Sequence, residues 1–444
     1  MAAALGVLVS CGSVKPGEEV VAASRNSKVV VAYVTSWSEV MPDPQYMTHI
    51  NYAFGHVNES FNGVKIDNEE RLRQIVDLRK QKPELKVLLS IGGWGSGRFS
   101  EMAANDEYRR AFAADCARVV KEFALDGIDI DWEYPTSSMA NISSSPDDTE
   151  NFTLLMQDIR AAIGNEKELT LATVASARYI DFKAILPSVD FVNIMAYDMA
   201  SAPKHHSALY PSGHSGDITS DGAVTAHLKA GVPPSKLVMG MPFYGRGGDG
   251  YPSFQDYNKV GNTDTQYTEK WDEVAQVPYL ADKNDTLVFG FENPRSLAIK
   301  CQYILDKDLL GGMYWDYSGD NEQGDLRRTV AENLLGKPHK AKVLVLTERG
   351  GQHGGFTDAG LRWLAAEGAK GNFSITEINN ARNITEAYLS QFSLVIQLDF
   401  PPYTWPKEAE DAFVKYIEEG RGGWIGFHHA TLLGEFDGYP MWQW

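Results

Sequence analysis

Cysteine is nearly missing from this sequence, at three residues in 444, so a disulfide framework cannot be what holds the fold. Cys116 and Cys301 fall in amphipathic helical stretches far apart in the chain and read as free, buried thiols. Basic residues are also short: 41 Lys and Arg stand against 59 Asp and Glu, a formal charge of −18. Such a surface repels phosphate backbones, and no basic cluster breaks it, which argues against a nucleic-acid partner. No apolar run reaches the roughly 18 residues of a membrane-spanning helix. Metal chemistry lacks convergent ligands, since His205-His206 and His428-His429 stand as isolated pairs. No cofactor is expected.

What is present is an ordinary globular composition, 43% hydrophobic and 23% charged, at a length suiting one large domain and a smaller one. Residues 2–10 form a short apolar run ending in Leu8-Val9-Ser10-Cys11-Gly12. That ending resembles the lipobox of bacterial lipoproteins, in which the cysteine is lipidated. Residues 1–28 are then a signal and tether, the protein is exported, and its one membrane contact is a lipid on Cys11. A signal peptide carries a basic stretch ahead of its apolar core; none precedes this run, so the natural start is expected upstream.

From residue 29 onward, short β-branched runs alternate with helical patterns. The runs are 29–35, 49–54, 86–91, 127–131, 170–175, 191–196, 237–242 and 312–315, with helices predicted at 68–81, 106–124, 149–163, 221–230 and 294–306. Most runs are continuously apolar, as parallel strands covered on both faces are. Eight such units in about 310 residues predict an α/β fold, a (β/α)8 TIM barrel over 29–336. A doubly wound open sheet competes, but no Gly-rich phosphate loop follows the first strand.

Residues 126–135 read Asp-Gly-Ile-Asp-Ile-Asp-Trp-Glu-Tyr-Pro. Side chains alternate across a strand, so Asp129, Asp131 and Glu133 point into the barrel while Ile128, Ile130 and Trp132 pack outward. Like charge and desolvation both raise carboxyl pKa values, so this row retains a proton near neutrality. Glu133 is last, at the C-terminal mouth where barrel active sites lie. A protonated carboxyl there suits a general acid for a glycosidic oxygen.

Asp126 to Glu133 resembles the DGxDxDxE signature of glycoside hydrolase family 18, the chitinase family. Val87 to Trp94 is similar to its third-strand SxGG motif and Met195-Ala196-Tyr197-Asp198 to its sixth-strand motif. Lys236 to Arg246 resembles the seventh, and Gly311 to Asp316 the last. The resemblance implies a retaining, endo-type glycosidase acting on chitin, chito-oligosaccharides or another N-acetylglucosamine-containing glycan. Glu133 would be the acid and later the base, and the substrate's own acetamido oxygen would attack C1 to give an oxazolinium ion. Asp131 would orient the acetamido N–H, Asp129 would tune Asp131, and Tyr197, helped by Asp198, would bond the acetamido carbonyl. Trp315 would form the floor under the sugar; Gly93 would let ligand and backbone come close; Trp94 would line a glycone subsite. Tyr33, Phe54, Met195 and Arg246 occupy family pocket positions. An endo-β-N-acetylglucosaminidase acting on N-glycan cores and a non-catalytic chitin-binding lectin are the alternatives. Lectin members usually lack the terminal Glu, which is present here.

Between Arg246 and Trp315 lie 68 residues with helix and strand patterns of their own, at 272–277 and 286–291. This short insertion before the last strand predicts a shallow, open groove. After a linker at 336–342, residues 342–444 resemble the start of a ThuA-like domain (trehalose utilisation), an open flavodoxin-like sheet related to amidotransferases. A strand at 342–346, a helix near 358–366, a strand at 394–399, a helix at 407–418 and a strand at 423–428 are predicted, a partial domain. No cysteine follows Cys301, so an amidotransferase-type thiol is absent.

Overall fold

The computed structural model describes residues 28–248, 251–260, 266–336, 341–347, 354–369, 373–398, 405–427 and 430. They fall into two units that divide between Lys337 and Pro338. Cys11 with its tether, and His428-His429, lie outside the described residues.

In the first unit the eight barrel strands are Val29–Thr35, His49–Val57, Lys86–Gly92, Gly127–Asp131, Glu168–Val174, Phe191–Met195, Leu237–Pro242 and Gly311–Trp315. Each pairs in parallel with the next, and the eighth returns to the first with Val30 opposite Gly312, closing the sheet. The period-2 pattern divides the side chains between two cores. Val31, Tyr33, Phe191, Val238 and Met313 meet inside the barrel. Val30, Ile50, Leu89, Ile128 and Ile130 form the layer beneath the helices. The helices start where the sequence supplies caps. Asn105 accepts from the N–H groups of Glu107 and Tyr108 to open Asp106–Glu122. Asn293 and Ser296 form a capping box ahead of Pro294–Asp306. Cys116 and Cys301 are buried and free, as expected.

Between the seventh and eighth strands, the short strands Tyr244–Gly247, Gln255–Asp256, Thr268–Asp272, Val277–Ala281 and Leu287–Gly290 form an antiparallel sheet. The pattern at 272–277 is the turn of a hairpin, with Asp272 paired to Val277. Asp272 Oδ1 accepts the N–H groups of Val274 and Ala275 and closes that turn, a local bond that competes with regular structure.

The second unit is a parallel sheet in the order Phe373–Ile378, Ala341–Thr347, Leu394–Leu398, Gly423–Phe427. Val343 and Val345 pack on Leu364 on one face; Leu344 and Leu346 pack on Phe413 and Tyr416 on the other. Helices Gly354–Ala369 and Lys407–Glu418 match the predicted positions. The strand at 373–378 was not foreseen, because it is an edge strand with alternating polar residues rather than the continuous apolar run of a covered parallel strand.

Candidate active site

The fourth strand, Gly127–Asp131, carries the inward acids. Asp129, in the barrel interior with no exposure, accepts from Tyr33 Oη (2.8 Å) and Ser90 Oγ (2.8 Å) on one oxygen, and from Thr170 Oγ1 (2.6 Å) and Asn193 Nδ2 (3.3 Å) on the other. Both oxygens are thus occupied by donors from the first, third, fifth and sixth strands. Burial raises its carboxyl, and these four bonds oppose the rise. Two residues on, Asp131 is also buried, but its Oδ1 has no hydrogen-bond partner. Burial, then the charges of Glu133 and Asp129, push the Asp131 carboxyl well up. Glu133 follows at the mouth, and burial, reinforced by Asp198 and opposed by Tyr134, pushes it up to about 7. On the outer face Trp132 stacks on Phe99 with ring centres 5.3 Å apart. The alternation read from the sequence is the one observed.

The sixth and seventh strands close the other side. Burial opposes ionisation of Asp198, but the Arg246 guanidinium and His206 overcome it and hold the carboxyl well below its usual range. Arg246 Nε and Nη2 each lie 2.6 Å from an Asp198 oxygen, the bidentate geometry that Arg offers a carboxylate. Tyr197 Oη lies 3.8 Å from Met313 Sδ. Burial, with the charges of Asp131, Glu133 and Asp198, pushes the Tyr197 phenol well up, so it remains an O–H donor. His205 and His206, in the loop after the sixth strand, are buried. His205 Nε2 bonds Asp272 at 3.1 Å, a link between this loop and the inserted sheet.

An aromatic floor lies beside the acids. Trp315 stacks on Phe54 (5.6 Å, 21°) and leans on Tyr33 (5.6 Å) and Trp37 (6.5 Å). Met195 packs with Tyr197 and Trp315 at the rim of the inner core. The glycines of the third strand serve this packing. A Cβ on Gly92 would sit 1.9 Å from the Asp131 carbonyl, and one on Gly93 2.6 Å from the Phe54 ring. On its Cβ side the space that Gly93 leaves is taken by the Phe54 ring. Trp94 is 61% exposed at the lip.

Three parts of the site were not foreseen. Trp37, 64% exposed, carried no motif beyond its place just after the first strand. Tyr134 stacks on Tyr179 (5.4 Å, 12°), a meeting between different strand ends. Tyr244 and Phe254 stack at 4.7 Å, and the Arg246 guanidinium lies 5.3 Å from each ring.

Residues 29–320 match the family described as glycosyl hydrolases family 18, and residues 342–444 match the one described as trehalose utilisation (ThuA). Chitinase A1 of Niallia circulans is 29% identical over 426 residues, an alignment covering 72% of this chain and 60% of that protein's length. A family 18 N-acetylglucosaminidase from Paenibacillus barengoltzii has a solved structure with a TM-score of 0.64 at 32% identity, covering 69% of this chain and 100% of that one. The Group IV chitinase of Ostrinia furnacalis, solved in complex with allosamidin, gives a TM-score of 0.62 at 28% identity, covering 69% of this chain and 97% of that one. With its acid row inside a closed barrel and its family model covering residues 29–320, this chain belongs to glycosyl hydrolases family 18.

Proposed function

We propose that the barrel hydrolyses β-1,4-linked N-acetylglucosamine chains, chitin or chito-oligosaccharides, with retention and through attack by the substrate's own acetamido group. The observation that carries this reading is which carboxylates are free to act. Asp129 has both oxygens occupied by four donors, and Asp198 is committed to Arg246. Asp131 keeps one oxygen without a partner, and Glu133 sits near 7. Glu133 thus supplies the proton donor and Asp131 the free acceptor, the two roles that the family resemblance assigns to them beside an acetamido nucleophile.

In the proposed reaction, Glu133 gives its proton to the glycosidic oxygen as the bond to C1 breaks. The acetamido oxygen closes on C1, forming the oxazolinium ion. Asp131 accepts the acetamido N–H and stabilises the positive charge that develops, while the Tyr197 O–H donates to the acetamido oxygen. Glu133, now ionised, takes a proton from the water that opens the ring, restoring itself and retaining configuration. The Trp315 indole offers the sugar's apolar face a stacking surface. Glu133→Gln should cut hydrolysis of an aryl-chitobioside by at least about 10³-fold and Asp131→Asn by about 10²-fold. Full activity in either variant, or equal turnover of de-acetylated oligomers, would refute the mechanism.

Cleavage of a high-mannose glycoprotein in preference to chitotetraose would favour the N-glycan alternative, and binding without turnover the lectin. The small inserted sheet supports short or soluble oligosaccharides as substrates; release mainly of dimer from crystalline chitin would count against that. We also propose export with lipidation at Cys11, which an unmodified Cys11 in the intact mass of cell-expressed protein would rule out.

A further inference from the structure

Beside the acid row, on the far side of Phe54, three polar side chains form a chain that the proposed reaction does not use. His56 Nε2 lies 3.0 Å from Asp67 Oδ2, and His56 Nδ1 lies 2.8 Å from Ser96 Oγ. With a carboxylate on Nε2, the neutral ring carries its proton there and leaves Nδ1 to accept the serine O–H. Asp67 is itself fixed: its N–H donates to the Phe54 carbonyl at 3.0 Å, and its own carbonyl accepts from Tyr52 Oη at 2.9 Å.

Ser96 belongs to the segment Gly92-Gly93-Trp94-Gly95-Ser96-Gly97, four glycines in six residues. Gly92 and Gly93 are pinned by their close neighbours, but Gly95, at φ +82°, has no atom nearer than 3.9 Å to a built Cβ. Glycine-rich backbone of this kind samples many conformations, and Trp94, 61% exposed, has little packing to hold its indole. Among the described residues, the one side-chain hydrogen bond from this segment is that of Ser96 to His56. Its backbone adds two bonds: Gly93 N–H to the Asp131 carbonyl (2.9 Å) anchors the segment's start, and Ser96 N–H donates to the Gly93 carbonyl (3.0 Å).

We propose that Asp67, His56 and Ser96 form a positioning relay that holds the 92–97 loop so that Trp94 presents its indole to a bound sugar. The proposal rests on the glycosidase reading above and assigns these three residues to substrate binding, not to the chemical step. An ordered indole needs no further immobilisation when the sugar stacks on it, so the relay acts on affinity.

The test is a kinetic cycle in the full-length protein with chitotetraose. Ser96→Ala should raise KM about three- to ten-fold, the size of one lost hydrogen bond, with kcat within about two-fold. Ser96→Thr should restore KM. Trp94→Ala should raise KM by a similar factor or more, and adding Ser96→Ala to it should change nothing further, because the relay's effect passes through the indole. Additive effects, or a fall in kcat with KM unchanged, would overturn the relay. Hydrolysis of an aryl acetate that disappears in Ser96→Ala would also overturn it, replacing positioning by acyl transfer. No rise in KM for Trp94→Ala would remove the sugar platform and the relay with it, whereas a wild-type protein inert on chitotetraose would instead sink the proposed function.

Discussion

Arg246 grips Asp198 with two parallel hydrogen bonds of 2.6 Å, and Asp198 in turn raises the Glu133 carboxyl. The guanidinium therefore acts on Glu133, the proposed acid, at one remove. Asp198→Asn removes a negative charge that favours protonated Glu133, so the alkaline limb of the kcat profile should move to lower pH. Arg246→Met leaves Asp198 less compensated and should move that limb to higher pH, with a loss of about ten- to a hundred-fold in kcat/KM as the sixth-strand end loses its anchor. pH–rate profiles of both variants check the signs; shifts in the same direction would contradict the coupling.

Glu133 also leaves a mark on stability. Its folded carboxyl titrates at about 7, above the roughly 4.3 of an unfolded glutamate. Below the lower value both states are protonated and nothing is lost. As pH rises through the window the unfolded chain releases the proton first, so the folded state loses stability until about 7. Glu133→Gln has no proton to release. It should melt close to wild type at pH 4.5 and above it by about 1–3 kcal/mol at pH 8, a few degrees by calorimetry.

Gly93 tests the packing account of the third strand. Its φ is +90°, and an added Cβ meets the Phe54 ring at 2.6 Å. Gly93→Ala should cost about 1–3 kcal/mol from backbone strain and overpacking. Because Phe54 stacks on Trp315, displacing it should also raise KM. Retention of wild-type stability in a denaturant titration would show that the ring has room to move.

Lys300 and Glu292 form an ion pair with no exposure on either side chain, and Lys300 also donates to the Ser207 carbonyl, next to His206. Lys300→Met strands a buried carboxylate and should destabilise by about 3–5 kcal/mol, whereas Lys300→Met with Glu292→Leu should recover most of that loss. Thermal melts of the two variants decide it; equal losses would mean that the pair is not the element that matters.

The barrel and its acid row were legible because both follow from period. Eight mostly apolar runs alternating with helical patterns leave few other architectures, and strict alternation over 127–133 fixes which residues face inward. The inserted sheet was harder. At 272–277 a single side chain, Asp272, closes a turn over residues whose pattern reads as helical.

By itself the sequence determined the strands and the inward acids, which local pattern sets, and carried the family motifs whose resemblance pointed to Tyr197, Asp198, Arg246 and Trp315. Only the tertiary structure decided which carboxylate is free. Four strands converge on Asp129 and occupy both its oxygens, while Asp131 is left with an empty one. The same holds for Ser96, Trp37 and the Gly93 space: each depends on residues distant in the chain being brought within a few ångströms, and hydrogen bonding and packing act on that distance, not on sequence separation.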